Sequence, residues 1–122
     1  MNISQEIYPD LNLQPMKIAI TSAENNMEST VSKFFARAGF FAIYDSDDKS
    51  ANFIENPFCR NPEHVGEKVV KFLGDLGIKR IISLNFGSKA KKIADEYKIQ
   101  LIVIGDSRLL IKSIIDMLRK HD

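Results

Sequence analysis

From Asn61 onward the chain alternates between two hydrophobic periods, and this alternation limits the fold more than any other feature of the sequence. Val65, Val69, Phe72, Leu73 and Leu76 recur at helical spacing, after Asn61-Pro62-Glu63 and before Gly77. Asparagine suits an N-cap, proline the first helical position and an acid the positive end of the dipole, while glycine ends a helix readily. Arg80-Ile81-Ile82-Ser83-Leu84 then reads as a strand, residues 88–97 as a helix burying Ala90, Ile93, Ala94 and Tyr97, and Leu101-Ile102-Val103-Ile104 as a fully buried strand. Ser107 is placed to cap a last helix whose Leu110, Ile111, Ile114, Ile115 and Leu118 form an apolar stripe, with Arg119 and Lys120 at its negative end. Apolar strands separated by helices predict a parallel sheet covered on both faces.

Upstream the period is that of strands. Residues 16–21 place β-branched side chains alternately, and the runs 40–44 and 51–55 flank the turn-rich Asp45-Ser46-Asp47-Asp48-Lys49-Ser50, which predicts an antiparallel hairpin. Residues 1–15 show neither period and read as an N-terminal extension, leaving 16–122 as a single α/β domain. A chain of 122 residues, 44% hydrophobic, has room for one such core.

Charge and cysteine content exclude several classes of function. Seventeen basic against sixteen acidic residues give a net charge of +1, without the basic excess of a nucleic-acid-binding surface. The single cysteine, Cys59, permits no internal disulfide and no four-cysteine zinc or iron–sulfur site. No apolar run approaches the ~20 residues that span a bilayer, and Glu6 and Asp10 stand where a signal peptide needs apolar residues. These features predict a soluble, cytoplasmic protein with no nucleic-acid or membrane partner.

Ligands of open α/β sheets gather outside the carboxyl ends of the parallel strands, which here are the loops 22–32, 85–88 and 105–107. Neither glycine-rich nucleotide fingerprint is present. Asn85-Phe86-Gly87-Ser88 reads either as an anion-binding loop at a helix N-terminus, through Asn85, Gly87 and Ser88, or as a plain strand-to-helix turn. Asp45, Asp47 and Asp48 lack the glycine and glutamate of a calcium loop and fit the hairpin turn. The first strand carries no acid, which argues against two-metal nuclease chemistry, and Cys59 with His64 makes a poor nucleophile–base pair; no enzyme is expected. His64 reads as a capping or surface residue, or as a soft-metal or anion contact; His121 reads as a tail residue.

From Met16 on, the chain resembles the dinitrogenase iron–molybdenum cofactor biosynthesis family. The resemblance rests on Met16-Lys17-Ile18-Ala19-Ile20, Ser29-x-Val31-Ser32, Phe35-x-Arg37-Ala38, Glu55-Asn56-Pro57, His64-x-Gly66 and Asn85-Phe86-Gly87. It implies a ribonuclease-H-like motif: a mixed five-stranded sheet in the order 3-2-1-4-5, strand 2 antiparallel, with helices on both faces. It also implies a non-enzymatic carrier of an iron–sulfur or iron–molybdenum-type cluster bound preassembled, with metal-cluster donor or acceptor proteins as partners, acting as a monomer or weak homodimer. Cys59 and His64 are the candidate metal ligands, and Lys33, Arg37 and Arg60 the candidate positive contacts. Where the family motif has histidine, phenylalanine and glycine before the arginine, this chain has Phe34, Phe35 and Ala36, and Leu84 replaces a glycine before Asn85. The missing histidine leaves open an alternative, an interaction or regulatory module that has kept the fold without the cluster.

Overall fold

The structure, a computed structural model, describes residues 16–121; the expected extension lies outside them. The elements run β1 (Lys17–Ser22), β2 (Phe40–Asp45), β3 (Ser50–Glu55), α1 (Val65–Asp75), β4 (Ile78–Ser83), α2 (Ser88–Tyr97), β5 (Gln100–Val103) and α3 (Ile111–Lys120). The sheet order is β3-β2-β1-β4-β5, with β2 antiparallel to both neighbours and β1, β4 and β5 parallel, as expected.

Alternation along each strand divides the core between the two faces of the sheet. Ala19, Phe41 and Ile81 meet Val69, Val70 and Leu73 of α1 and Ala90 and Ala94 of α2 on one face. Ile18, Ile20, Ala42, Tyr44 and Ile82 meet Ile111, Ile114 and Ile115 of α3 on the other. The hairpin closes at Asp45 and Ser50, and two aspartates cap its turn: Asp47 N–H donates to Asp45 Oδ1 and Ser50 N–H to Asp48 Oδ1, both at 2.9 Å. No helix of the described residues is long and apolar enough to cross a membrane.

Three expectations are corrected. The first helix starts at Val65 rather than at Asn61-Pro62-Glu63, and its N-cap residue is His64, in left-handed backbone (φ 59°) with no side-chain cap. Asn61 is otherwise engaged, because its N–H donates to Phe58 O and its own carbonyl accepts from Arg37. The last helix starts at Ile111 rather than after Ser107. There Asp106 Oδ1 accepts from Arg108 N–H and forms a separate turn, and the helix amides of Ile111 and Lys112 donate instead to Ser29 O (2.8 Å) and Met27 O (2.9 Å). Finally, β5 is an edge strand and not a fully buried one: Leu101 and Ile102 are half-buried and Val103 is 60% exposed.

Candidate functional site

The carboxyl ends of β1 and β4 lie side by side, joined beneath the surface by the fully buried Thr21 hydroxyl donating to Ser83 Oγ at 3.0 Å. The segments that leave these ends, together with the start of α1, enclose a cleft of about 480 Å3. Each wall has a local cause. After β1 the chain turns at Ser32, whose Oγ accepts from Phe34 N–H at 3.2 Å. That turn sends Phe34 outward, 63% exposed at the cleft, and Phe35 inward, 4% exposed. The Phe35 ring packs at a tilt on Phe86 from the loop after β4, with ring centroids 5.0 Å apart. Asn85 strengthens the same junction by donating through Nδ2 to Lys33 O at 2.9 Å.

The third wall is the start of α1, and side chains hold the segment that leads to it from β3 at two places. Asn56, 4% exposed, donates through Nδ2 to Ala36 O (2.8 Å) and Ala38 O (2.9 Å), while its Oδ1 accepts from Phe58 N–H (2.9 Å). Arg37 donates through Nη1 to Cys59 O (3.2 Å) and Asn61 O (2.9 Å). Three loops far apart in sequence thus form one rim, fastened by side-chain bonds to backbone.

Two helix N-termini open onto this rim. His64, Val65 and Gly66 of the α1 start and Gly87, Ser88, Lys89 and Ala90 of the α2 start all line the cleft. The first amides bonded back within these helices are Lys68 N–H, to His64 O, and Lys91 N–H, to Gly87 O. The three amides before each have no intrahelical acceptor, and neither helix has a side-chain cap. Together with Arg37 and Lys89, and with no carboxylate in the lining, they make the cleft electropositive. His64, exposed in the lining, stands between two acids that lie outside it, Nε2 3.9 Å from Glu63 Oε2 and Nδ1 4.0 Å from Glu67 Oε2, the latter in the first turn of α1.

The cleft gathers five of the eight candidate site residues: Arg37, His64, Asn85, Gly87 and Ser88. Lys33, Cys59 and Arg60 are not in its lining. Lys33 adjoins it through its carbonyl, Cys59 is a half-buried free thiol in the turn that Arg37 grips, and Arg60 is exposed in that same turn. Among the described residues no three His, Cys, Asp or Glu side chains come together as a metal-ion site. The loop 105–107 does not contribute either. Its Asp106 carboxyl is held below the usual aspartate range by hydrogen bonds from the Arg108 amide and guanidinium, the latter from Nε at 3.2 Å.

Sequence reasoning missed Lys89 and Phe86, and the structural part played by Asn56. Lys89 did carry a signal: a cation in the first turn of a helix opposes the dipole unless an anion offsets both. Phe86 and Asn56 carried none beyond their motifs, since their roles depend on partners in other loops.

No curated protein matches this sequence significantly. Several solved structures match the fold. The apo form of the orange protein of Desulfovibrio gigas aligns at TM-score 0.74 and 18% identity, over 87% of this chain and 88% of that one. A putative NifB protein from Thermotoga aligns at TM-score 0.71 and 27% identity, over 86% of this chain and 88% of that one. A family model described as dinitrogenase iron-molybdenum cofactor matches residues 16–120, which hold every strand and helix of the described residues and the whole rim of the cleft, and the chain belongs to that family.

Proposed function

We propose that this protein is a non-enzymatic, cytoplasmic carrier that accepts a preassembled, anionic iron–sulfur or iron–molybdenum-type cluster, or a precursor of one, in the cleft at the ends of β1 and β4. The observation that carries this reading is the convergence of two uncapped helix N-termini on one cleft without a carboxylate in its lining. Membership of the family, and the likeness to the putative NifB protein of Thermotoga, support a cluster-related accessory role.

The chemistry of the donors fits cargo better than a cluster assembled in place. Building an iron–sulfur cluster takes several thiolates, and Cys59 is the chain's one cysteine, outside the cleft lining. A cluster that arrives with its sulfides and terminal ligands is a bulky anion. It needs positive ends of dipoles, amide donors and cations rather than covalent ligands. Val65, Gly66, Ser88 and Lys89 supply amides, the Lys89 ammonium supplies charge, and His64 supplies one side chain able to ligate a metal at the cargo's edge. Binding without covalent attachment also suits a carrier, which has to release what it holds to an acceptor protein.

A second reading follows from the 63% exposed Phe34 at the cleft, where the family motif places histidine: a module that binds a partner protein and no cluster. One titration separates the two. Under anaerobic conditions the protein is titrated with a synthetic four-iron–four-sulfur cluster capped by small thiolates, followed by gel filtration. Co-elution of cluster absorbance with protein, weakened by Lys89→Glu, is the expected result. No co-elution, with a protein partner still recovered specifically in the absence of metal, would establish the second reading instead.

A further inference from the structure

We infer that Arg37 serves the cleft as a positioning residue, gripping the segment between β3 and α1 and thereby setting where the open N-terminus of α1 stands. The inference rests on the carrier reading for its consequence and on hydrogen bonds in the protein itself for its cause. Nη1 has two hydrogens, and the carbonyls of Cys59 and Asn61 take both. The group that would be first assigned to grip an anion is turned, at that nitrogen, toward the protein's own backbone.

The segment it grips needs such a hold. Between Glu55 and Val65 the chain forms no helix or strand, and it ends at His64 in a left-handed conformation that residues with a Cβ adopt rarely. Its other side-chain hold, Asn56, fixes Phe58, before the stretch that leads into the helix. Arg37 catches Cys59 and Asn61, the residues that follow, and Val65 and Gly66 of the cleft come four to seven residues after them. Releasing the grip frees the wall that presents the α1 amides without removing any group from α2. Positioning of this kind acts on affinity by keeping donors where the ligand will be, so that binding does not have to order them.

The test uses the full chain as wild type, Arg37→Gln and Arg37→Lys. Hydrogen exchange followed by mass spectrometry on the ligand-free proteins reads the grip, and the thiolate-capped four-iron–four-sulfur cluster reads the site. A urea midpoint for each variant separates local loosening from a loss of global stability. In Arg37→Gln, whose shorter side chain falls short of both carbonyls, exchange across residues 58–68 is expected to rise roughly tenfold, with other segments unchanged. Cluster affinity is expected to fall by a similar factor. Arg37→Lys, whose ammonium can still donate to a carbonyl, restores part of both. Unchanged exchange in Arg37→Gln overturns the grip, and a loss of affinity without faster exchange shows direct contact with the cargo instead. Faster exchange with full affinity overturns the positioning role. A wild-type protein that leaves the cluster unbound overturns the carrier reading and the positioning role with it, while the exchange data still report whether the grip exists.

Discussion

Replacing Asn56 with alanine tests how much of this protein's stability resides in the fastening of its loops. The side chain makes three hydrogen bonds to backbone at 2.8–2.9 Å while 4% exposed, so its loss strands two carbonyls and one amide. At roughly 1 kcal/mol net for each bond, Asn56→Ala is expected to cost about 3 kcal/mol, a large part of the ~5–15 kcal/mol that holds a typical domain together. For a chain of this size that lowers the melting midpoint by roughly 12 °C. Urea unfolding followed by circular dichroism should show a lower midpoint with an unchanged slope, since the surface exposed on unfolding is the same. Asn56→Asp is the informative companion. One oxygen can still accept from Phe58 N–H, but the other faces two carbonyl oxygens that a carboxylate repels. This raises the folded-state pKa of the new carboxyl above its unfolded value, so the stability it retains is present at low pH and lost as pH rises through that raised value. A cost below ~1 kcal/mol for Asn56→Ala would refute the argument, by showing that water replaces the side chain freely and that the rim is not fastened there.

The two helical glycines near the α1–α2 contact should respond in opposite directions. A Cβ on Gly74 would stand 2.5 Å from Tyr97 Cδ2, so Gly74→Ala is expected to lose roughly 1–2 kcal/mol by urea titration despite alanine's better helix propensity. A Cβ on Gly66 meets Ala90 Cβ at an ordinary 3.7 Å, and Gly66→Ala is expected to gain roughly 0.5 kcal/mol. On the exposed edge strand, Val103→Thr should change stability by less than ~0.5 kcal/mol, and a loss above ~1.5 kcal/mol would mean that β5 is covered in solution. Carbon NMR titration should place the Asp48 and Asp106 carboxyls below the ordinary aspartate value, because the Ser50 hydroxyl and amide hold the first charged and the Arg108 amide and guanidinium the second. Both folded-state values are lowered, so what these turns contribute is complete above the unfolded pKa and disappears as pH falls through the folded one.

What the sequence disclosed and what it hid divide along the range of the interactions involved. The hairpin turn and the helical stripes were legible because period and turn chemistry act within a few residues, whereas the strand order followed from the family resemblance. The start of α1 was not, although Asn61-Pro62-Glu63 is a strong local signal. Arg37 draws on the carbonyl of Asn61 from 24 residues away, and no cap motif reports that. Ser107 failed for the same reason, since its expected work at α3 is done by carbonyls of Met27 and Ser29. The apolar run of β5 could not disclose an edge, because hydrophobicity alone does not say which strand has a neighbour on one side only. In the cleft, His64, Asn85, Gly87 and Ser88 could be found as ends of elements, whereas Phe86 and Asn56, outside its lining, matter through contacts with the loop after β1.

That loop also accounts for the side of the sheet on which the site stands. Three helices begin near one end of the sheet, and by the rule for helix termini each offers unpaired amides there. The first part of the loop closes one of them: the carbonyls of Ser29 and Met27 accept from Ile111 and Lys112, and Thr30 bridges to Leu110, so α3 has its cap from the backbone. Its second part, from Lys33 to Ala38, does the reverse. Its carbonyls accept from the side chains of Asn85 and Asn56, and its Arg37 turns to Cys59 and Asn61, so the loop is held firmly without reaching the amides of α1 or α2. One connection therefore extinguishes the positive terminus on the α3 face and frames two on the other. The anionic cargo proposed above has a reason to bind on the α1–α2 face alone, whereas proline at Val31, whose N–H donates to Leu109 O beside the start of α3, would test stability rather than the site.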